Sequence, residues 1–164
     1  MNAVIPKIKR ILYTTDLSGN AGHVFGYAVN SARKHNAEMI LLHAIEPLPQ
    51  NARMWMELYA DEGRRAKLFE ENRQQVTEMI RERIRTFAER ELADDPEGSV
   101  PIADIIVEEG YPAEVILKKV DELKCDIIIM GTHSKGVITH AFLGSVAERV
   151  LRRVRKPVFI IPQP

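Results

Sequence analysis

The chain has a single cysteine, Cys125, so no intramolecular disulfide can form. It has no excess charge: 23 Lys plus Arg face 23 Asp plus Glu. That balance removes any overall pull toward nucleic acid or an anionic membrane. Long apolar runs are missing as well. Met39–Leu42 and Ile127–Met130 are far too short to cross a bilayer, and Met1–Arg10 lacks the apolar stretch of a secretory signal. The five histidines show no metal-ligand spacing, His133 and His140 standing seven apart, which argues against a zinc site. Together these absences predict a protein of the reducing cytoplasm, with no membrane and no nucleic-acid partner.

What is present is ordinary core-forming material. Hydrophobic residues make up 45% of the 164 and charged residues 28%, which suits one domain over 1–164. Ile8–Thr14 reads as a first strand. Asp16, Ser18, Gly19 and Asn20 break it, and Ser18 or Asn20 suits a helix cap. Val24, Ala28 and Ala32 follow at helical spacing, with Asn36 as the stop. Glu38–Ile45 holds an unbroken apolar run, the pattern of a strand covered on both faces. Pro47 and Pro49 end it, and an irregular insert is expected over about 47–68. Phe69, Val76, Ile80, Ile84 and Phe87 then give a long charged segment one apolar face, so a helix is predicted to about Ala93.

Ile102–Val107 reads as a third strand, and Pro112 suits the first turn of the helix after it. Asp126–Met130 is a fourth strand. A loop with two glycines, Gly131–Phe142, leads to a helix over Gly144–Val154, and Val158–Ile161 is the last strand. Strands and helices alternating in this way predict a parallel sheet between two helix layers.

Open parallel sheets bind ligands beyond the carboxyl ends of their strands, where the strand order reverses. In a Rossmann-like order strand one lies beside strand four. The crevice then falls between Thr14-Thr15-Asp16 and Gly131-Thr132-His133-Ser134-Lys135-Gly136. The latter returns to a helix at Gly144-Ser145, where free N–H groups and the helix dipole suit a phosphate. Asp16 is placed to accept from ribose hydroxyls or to hold a cation on the phosphates. Gly131 and Gly136 have the glycine spacing of a P-loop, but Val137 and Ile138 stand where Lys and Ser or Thr are needed. No G-x-G-x-x-G follows the first strand.

These residues resemble the universal stress protein family. Its pattern of G-x-x-G, nine residues, then G-[ST] is matched by Gly131-Thr-His-Ser134, nine residues, and Gly144-Ser145. The flanks Asp126-Ile-Ile-Ile-Met and Lys156-Pro157-Val158 fit too, as do Ile11-Leu-Tyr-Thr-Thr-Asp16, Leu41-Leu-His-Ala44 and Val107-Glu-Glu-Gly110-Tyr-Pro112. The resemblance implies a Rossmann-like (HUP-type) α/β sheet of five parallel strands, order 3-2-1-4-5, with helices on both faces. It also implies a homodimer through the last strand, Val158 to Ile161, and in one subgroup a bound ATP, AMP or ADP, with Mg as a candidate companion. Carried over by position, Thr14, Thr15, Asp16 and Ala44 would surround adenine and ribose. Met130 and Gly131 would form the pocket floor. His133, Ser134, Gly144, Ser145 and Val146 would line the phosphate track, with Gly136 relieving the backbone beside it. Ser134 departs from the glycine of the ATP-binding subgroup.

Two functions follow as expectations. One is an adenine-nucleotide-binding regulatory protein of the universal stress type, with at most slow ATP turnover, since no catalytic base and orienter stand out. The other is a nucleotide-independent dimeric protein acting through protein partners. Several residues admit a plainer role. Asp16 also suits a helix cap, Gly144-Ser145 suits any helix start, and His43 suits a hydrogen-bonded structural histidine. The basic run from Arg149 to Lys156 reads as a solvated helix face. Met54-Trp55-Met56 and Tyr59 fit either a lid or the start of the long helix.

Overall fold

A computed structural model of the chain gives β1 (Arg10–Thr14), α1 (Ala21–His35), β2 (Glu38–Ile45), α2 (Gln50–Tyr59), α3 (Glu62–Leu92), β3 (Ile102–Glu109), α4 (Pro112–Glu122), β4 (Ile127–Gly131), α5 (Ser145–Leu151) and β5 (Val158–Ile161). It describes residues 4–59, 62–132 and 143–162, apart from the side chains of 55–69. The strands form one parallel sheet in the order β3-β2-β1-β4-β5.

The sheet is covered on both faces, which is why its strands are apolar without alternation. Ile11, Tyr13, Met39, Leu41, Ile127 and Ile129 turn to one side, where α1 and α3 bring Phe25, Ala28, Ile84 and Phe87. Leu12, Ile40, Leu42, Ile128 and Met130 turn to the other, against Val115, Ile116 and Val120 of α4 and Ala147 and Val150 of α5. Ile128 is fully buried, so its truncation to alanine would cost about 2–5 kcal/mol. Cys125 is buried at the foot of β4, and burial pushes its thiol up to about 11. It is an unreactive packing residue.

The punctuation residues act as their chemistry dictates. Asn36 ends α1 in the left-handed conformation, φ 50°, which asparagine tolerates better than most side chains. Pro112 opens α4, where its missing N–H has no helical partner to lose. Asn20 stands at the N-cap of α1 without a capping side-chain bond. α5 ends at Leu151, a turn short of the expected Val154.

The stretch expected to be irregular differs. Gln50–Tyr59 is helical, and α3 begins at Glu62. α3 spans 31 residues, roughly 46 Å at 1.5 Å per residue. Its second half lies on the sheet, so Ile84 and Phe87 are buried, while Val76 is exposed. Arg73 pairs with Glu109, the last residue of β3, at 3.5 Å. The helix before Arg73 therefore runs past the carboxyl edge of the sheet. Arg53 of α2 reaches the same carboxylate at 3.4 Å. Among the described residues, no helix is long and apolar enough to cross a membrane.

Candidate functional site

β1 continues into α1 on one face of the sheet, and β4 continues toward α5 on the other. The two chains diverge as they leave adjacent strands, and the space between them opens at the carboxyl edge. A cavity of about 460 Å³ occupies it. That lies within the usual range for a small-molecule site. Thr14, Thr15, Asp16, Ala44, Met130, Gly131, Gly144, Ser145 and Val146 all line this one cavity. His133, Ser134 and Gly136 lie outside the described residues.

The cavity has two characters. Leu42, Ala44, Ile116, Met130 and Val146 make an apolar wall. Thr14, Thr15, Asp16, Ser18, Asn20 and Ser145 make a polar rim of hydroxyl, amide and carboxylate groups. Asp16 and Glu46 bring negative charge, and no described lining residue is a lysine or arginine.

The rim after β1 is built by short side-chain turns. The Thr15 hydroxyl accepts from the Leu17 N–H at 3.0 Å, and Asp16 Oδ1 accepts from the Ser18 N–H at 3.0 Å. Between these bonds Leu17 sits at φ 58°, a left-handed conformation costing roughly 1–2 kcal/mol for such a residue. Strain of this kind gathers where a surrounding structure over-determines the backbone, often at binding sites. Asp16 is exposed, and its turn bond uses one oxygen. The helix-cap role does not hold, since the N-cap of α1 is Asn20; Asp16 instead orders the turn that leads to α1.

Beneath the rim, Tyr13 is fully buried and donates its hydroxyl to the Ala21 carbonyl at 3.0 Å. Burial pushes its pKa well above the usual tyrosine value. It stays a neutral donor that ties β1 to the start of α1. His43 is hydrogen-bonded as expected, its Nδ1 lying 2.7 Å from the Thr15 carbonyl.

On the other side, Thr132 is buried; its N–H donates to Ile161 at 3.1 Å, and its carbonyl accepts from Gly144 N–H at 2.6 Å. That second bond pins the start of α5 against the end of β4. Gly144 has φ −70° and ψ 159°, open to any residue. Glycine is not needed there for backbone shape. Gly131 answers to packing: a Cβ on it would stand 3.2 Å from Val24 Cγ2 of α1. Its presence, read above as a ligand signal, has a helix–sheet cause of its own.

The lining residues that the sequence reading did not assign to the site include Leu42, Glu46, Pro112 and Ile116. Position could have pointed to Glu46 and Pro112, which follow the carboxyl ends of β2 and β3. Ile116 carries no such mark. Of Met54-Trp55-Met56 and Tyr59, Met54 is exposed, and the other three side chains lie outside the described residues.

A parallel sheet of order 3-2-1-4-5 with a cavity at its reversal point defines a Rossmann-like α/β protein. Within that class the profile of the universal stress protein family matches residues 7–162, and the chain belongs to that family. Universal stress protein MJ0577 of Methanocaldococcus jannaschii is 31% identical over 153 residues, covering 93% of this chain and 94% of its own. A universal stress protein of Thermus aquaticus is 31% identical over 153 residues, covering 93% and 98%. The solved structure of MJ0577 superimposes with a TM-score of 0.68 at 28% identity, over 97% of this chain and 99% of that one. A universal stress protein solved in complex with cAMP shares the fold, with a TM-score of 0.58, 24% identity and 96% and 98% coverage.

Proposed function

We propose that this chain is a regulatory protein that binds an adenine nucleotide in the β1–β4 cavity. The observation that carries the reading is the division of that cavity into an apolar wall and a polar rim. Adenine is flat and weakly polar, and Ala44, Met130, Ile116 and Val146 suit its faces. Ribose offers hydroxyl donors, which Asp16 would accept. The phosphates would run toward Ser145, where the first N–H groups of α5 have no partner within the helix.

Charge sets a condition on this reading. Asp16 and Glu46 would repel a triphosphate, and the described lining offers no basic side chain against it. Carboxylate and hydroxyl oxygens suit a hard divalent cation, so the donor set fits Mg. Bound there, the ion would supply charge neutralisation, with Asp16 the residue to hold it. Slow ATP turnover is the most chemistry this reading includes.

Assembly belongs to the same proposal. β5 lies at one edge of the sheet with Phe159 partly exposed. Thr132 and Ile128 donate to Ile161 and Pro157, so by alternation Val158 and Ile160 turn their N–H and C=O groups outward. Such an edge invites a second copy, and a two-fold dimer through β5 is the arrangement we propose. Light scattering should report a dimer, and Val158→Lys with Ile160→Lys should make it a monomer.

Calorimetry with ATP, ADP, AMP and cAMP, each with and without Mg, tests the site. Ser134 occupies the position of a glycine in the ATP-binding subgroup. If the backbone there is left-handed, serine costs about 1–2 kcal/mol, so Ser134→Gly should tighten ATP about tenfold. If wild type and Ser134→Gly both give no heat at millimolar ATP, the nucleotide reading fails. The dimeric protein acting through partners then replaces it.

A further inference from the structure

The two edges of the sheet are treated differently. At the β3 edge, the Gly110 N–H donates to the Ile45 carbonyl at 2.9 Å. Alternate residues of a parallel strand face its neighbour. Ile105, Val107 and Glu109 therefore turn their peptide groups away from β2, toward the open edge. Ile105 lies in the middle of β3, where an incoming strand would have to pair, and both of its outward groups are already taken. Its N–H donates to Asp104 Oδ1 at 2.8 Å. Its carbonyl accepts from Arg81 Nε of α3 at 3.2 Å.

Arg81 is held in place for this. A second nitrogen of its guanidinium pairs with Glu78 one turn earlier on α3. α3 lies along this edge, and Arg81, Arg85 and Ala88 share a shallow groove with Ala103, Asp104 and Ile105. No comparable bond from a side chain reaches Val158 or Ile160 among the described residues.

We propose that Arg81 and Asp104 are strand-edge blockers that keep assembly of this protein closed. A sheet with two open edges can add copies head to tail, the last strand of one against the third strand of the next. Such a contact is heterologous and grows into a filament unless the rotation closes. Occupying the peptide groups of Ile105 removes two backbone bonds from any strand that approaches. It also sets a charged guanidinium and a carboxylate in its way, the usual means of protecting an edge. β5 is then the one edge left to pair. The direction of growth rests on the β5 reading given above; the blocking of β3 does not.

The test is the mass of the full chain by light scattering as concentration rises. Arg81→Ala with Asp104→Ala should increase in mass beyond wild type at high concentration. Arg85→Ala, which removes a neighbouring charge that makes no bond to the strand, should not. A double variant that melts like wild type and keeps the wild-type mass throughout overturns the proposal. Should the double variant fail to fold, amide exchange decides. In Asp104→Ala alone, the Ile105 N–H should exchange about tenfold faster than in wild type; an unchanged rate overturns the proposal. Val158→Lys with Ile160→Lys, measured beside these, reports on β5 alone, so failure of the dimer reading shows there and not in the Arg81 and Asp104 comparison.

Discussion

His43 Nδ1 lies 2.7 Å from the carbonyl oxygen of Thr15. A carbonyl can only accept, so Nδ1 carries the hydrogen. The bond crosses from β2 to the loop after β1, beside the backbone bond from Thr15 N–H to Leu42 at 3.0 Å. Thr15 is thus held on both its N–H and its C=O, and with it the turn that presents Asp16.

Removing that bond should loosen the rim without unfolding the sheet. Under the proposed function, His43→Ala should weaken ATP about tenfold, the value of about 1.4 kcal/mol of lost positioning. His43→Gln, which keeps an N–H donor, should recover most of it. Calorimetry on the three proteins checks this, and equal affinity for wild type and His43→Ala would remove His43 from the site.

Gly131 makes a stability prediction. An added Cβ would meet Val24 Cγ2 at 3.2 Å in a tightly packed interface. Gly131→Ala should cost about 1 kcal/mol, at the lower end for overpacking. Val24→Ala leaves the room that Cβ needs. The double variant should therefore be more stable than the two single losses add up to, by about 0.5–1 kcal/mol. Additive losses in urea denaturation would mean the strain is relieved elsewhere.

Glu108 makes a prediction about pH. Burial raises the pKa of its carboxyl, but hydrogen bonds from Lys119 at 2.6 Å and Lys118 at 2.9 Å outweigh that and hold it below the usual range. A carboxyl depressed in the folded state adds stability above its unfolded value of about 4.3 and loses it as pH falls through the folded value. Lys119 is raised by Glu108 and then Glu122; its share is present below about 10.4 and is lost as pH rises through the raised value. Lys119→Gln should thus lower the melting temperature by about 1–3 °C at neutral pH and by nothing near pH 2. A difference that persists at pH 2 would show that the loss is one of packing.

The legibility of the chain follows its physics. Met39–Leu42 and Ile127–Met130 announced themselves because strands buried on both faces carry no polar alternation, and Asn36 and Pro112 because their backbone chemistry is local. The strand order and family were readable from the motifs together. α2 was not, since Met54, Trp55 and Met56 stand in a row and form no helical stripe. Val76 misled because its place in the apolar periodicity did not make it buried. At the cavity, Thr14 to Asp16 and Met130 to Gly131 were findable as strand ends. Ile116 was not, because it reaches the cavity only through the packing of α4. Gly131 carried a second cause, Val24, that no reading of one segment could show.

The last prediction separates the two roles of Asp16. Its Oδ1 accepts from the Ser18 N–H at 3.0 Å, which orders the turn. Asp16→Asn keeps an oxygen in that place and removes the charge. Asp16→Ala removes both. If Asp16 serves only the turn, Asn should bind ATP as wild type does, and Ala should lose about 0.5–1.5 kcal/mol of stability. If its charge holds a cation on the phosphates, Asn should melt like wild type, yet bind ATP about tenfold more weakly and no longer respond to Mg. The proposed function requires the second result. Calorimetry and thermal melts on the same three proteins, with and without Mg, distinguish them, and an Asn variant that binds Mg-ATP as tightly as wild type would remove the cation role from Asp16.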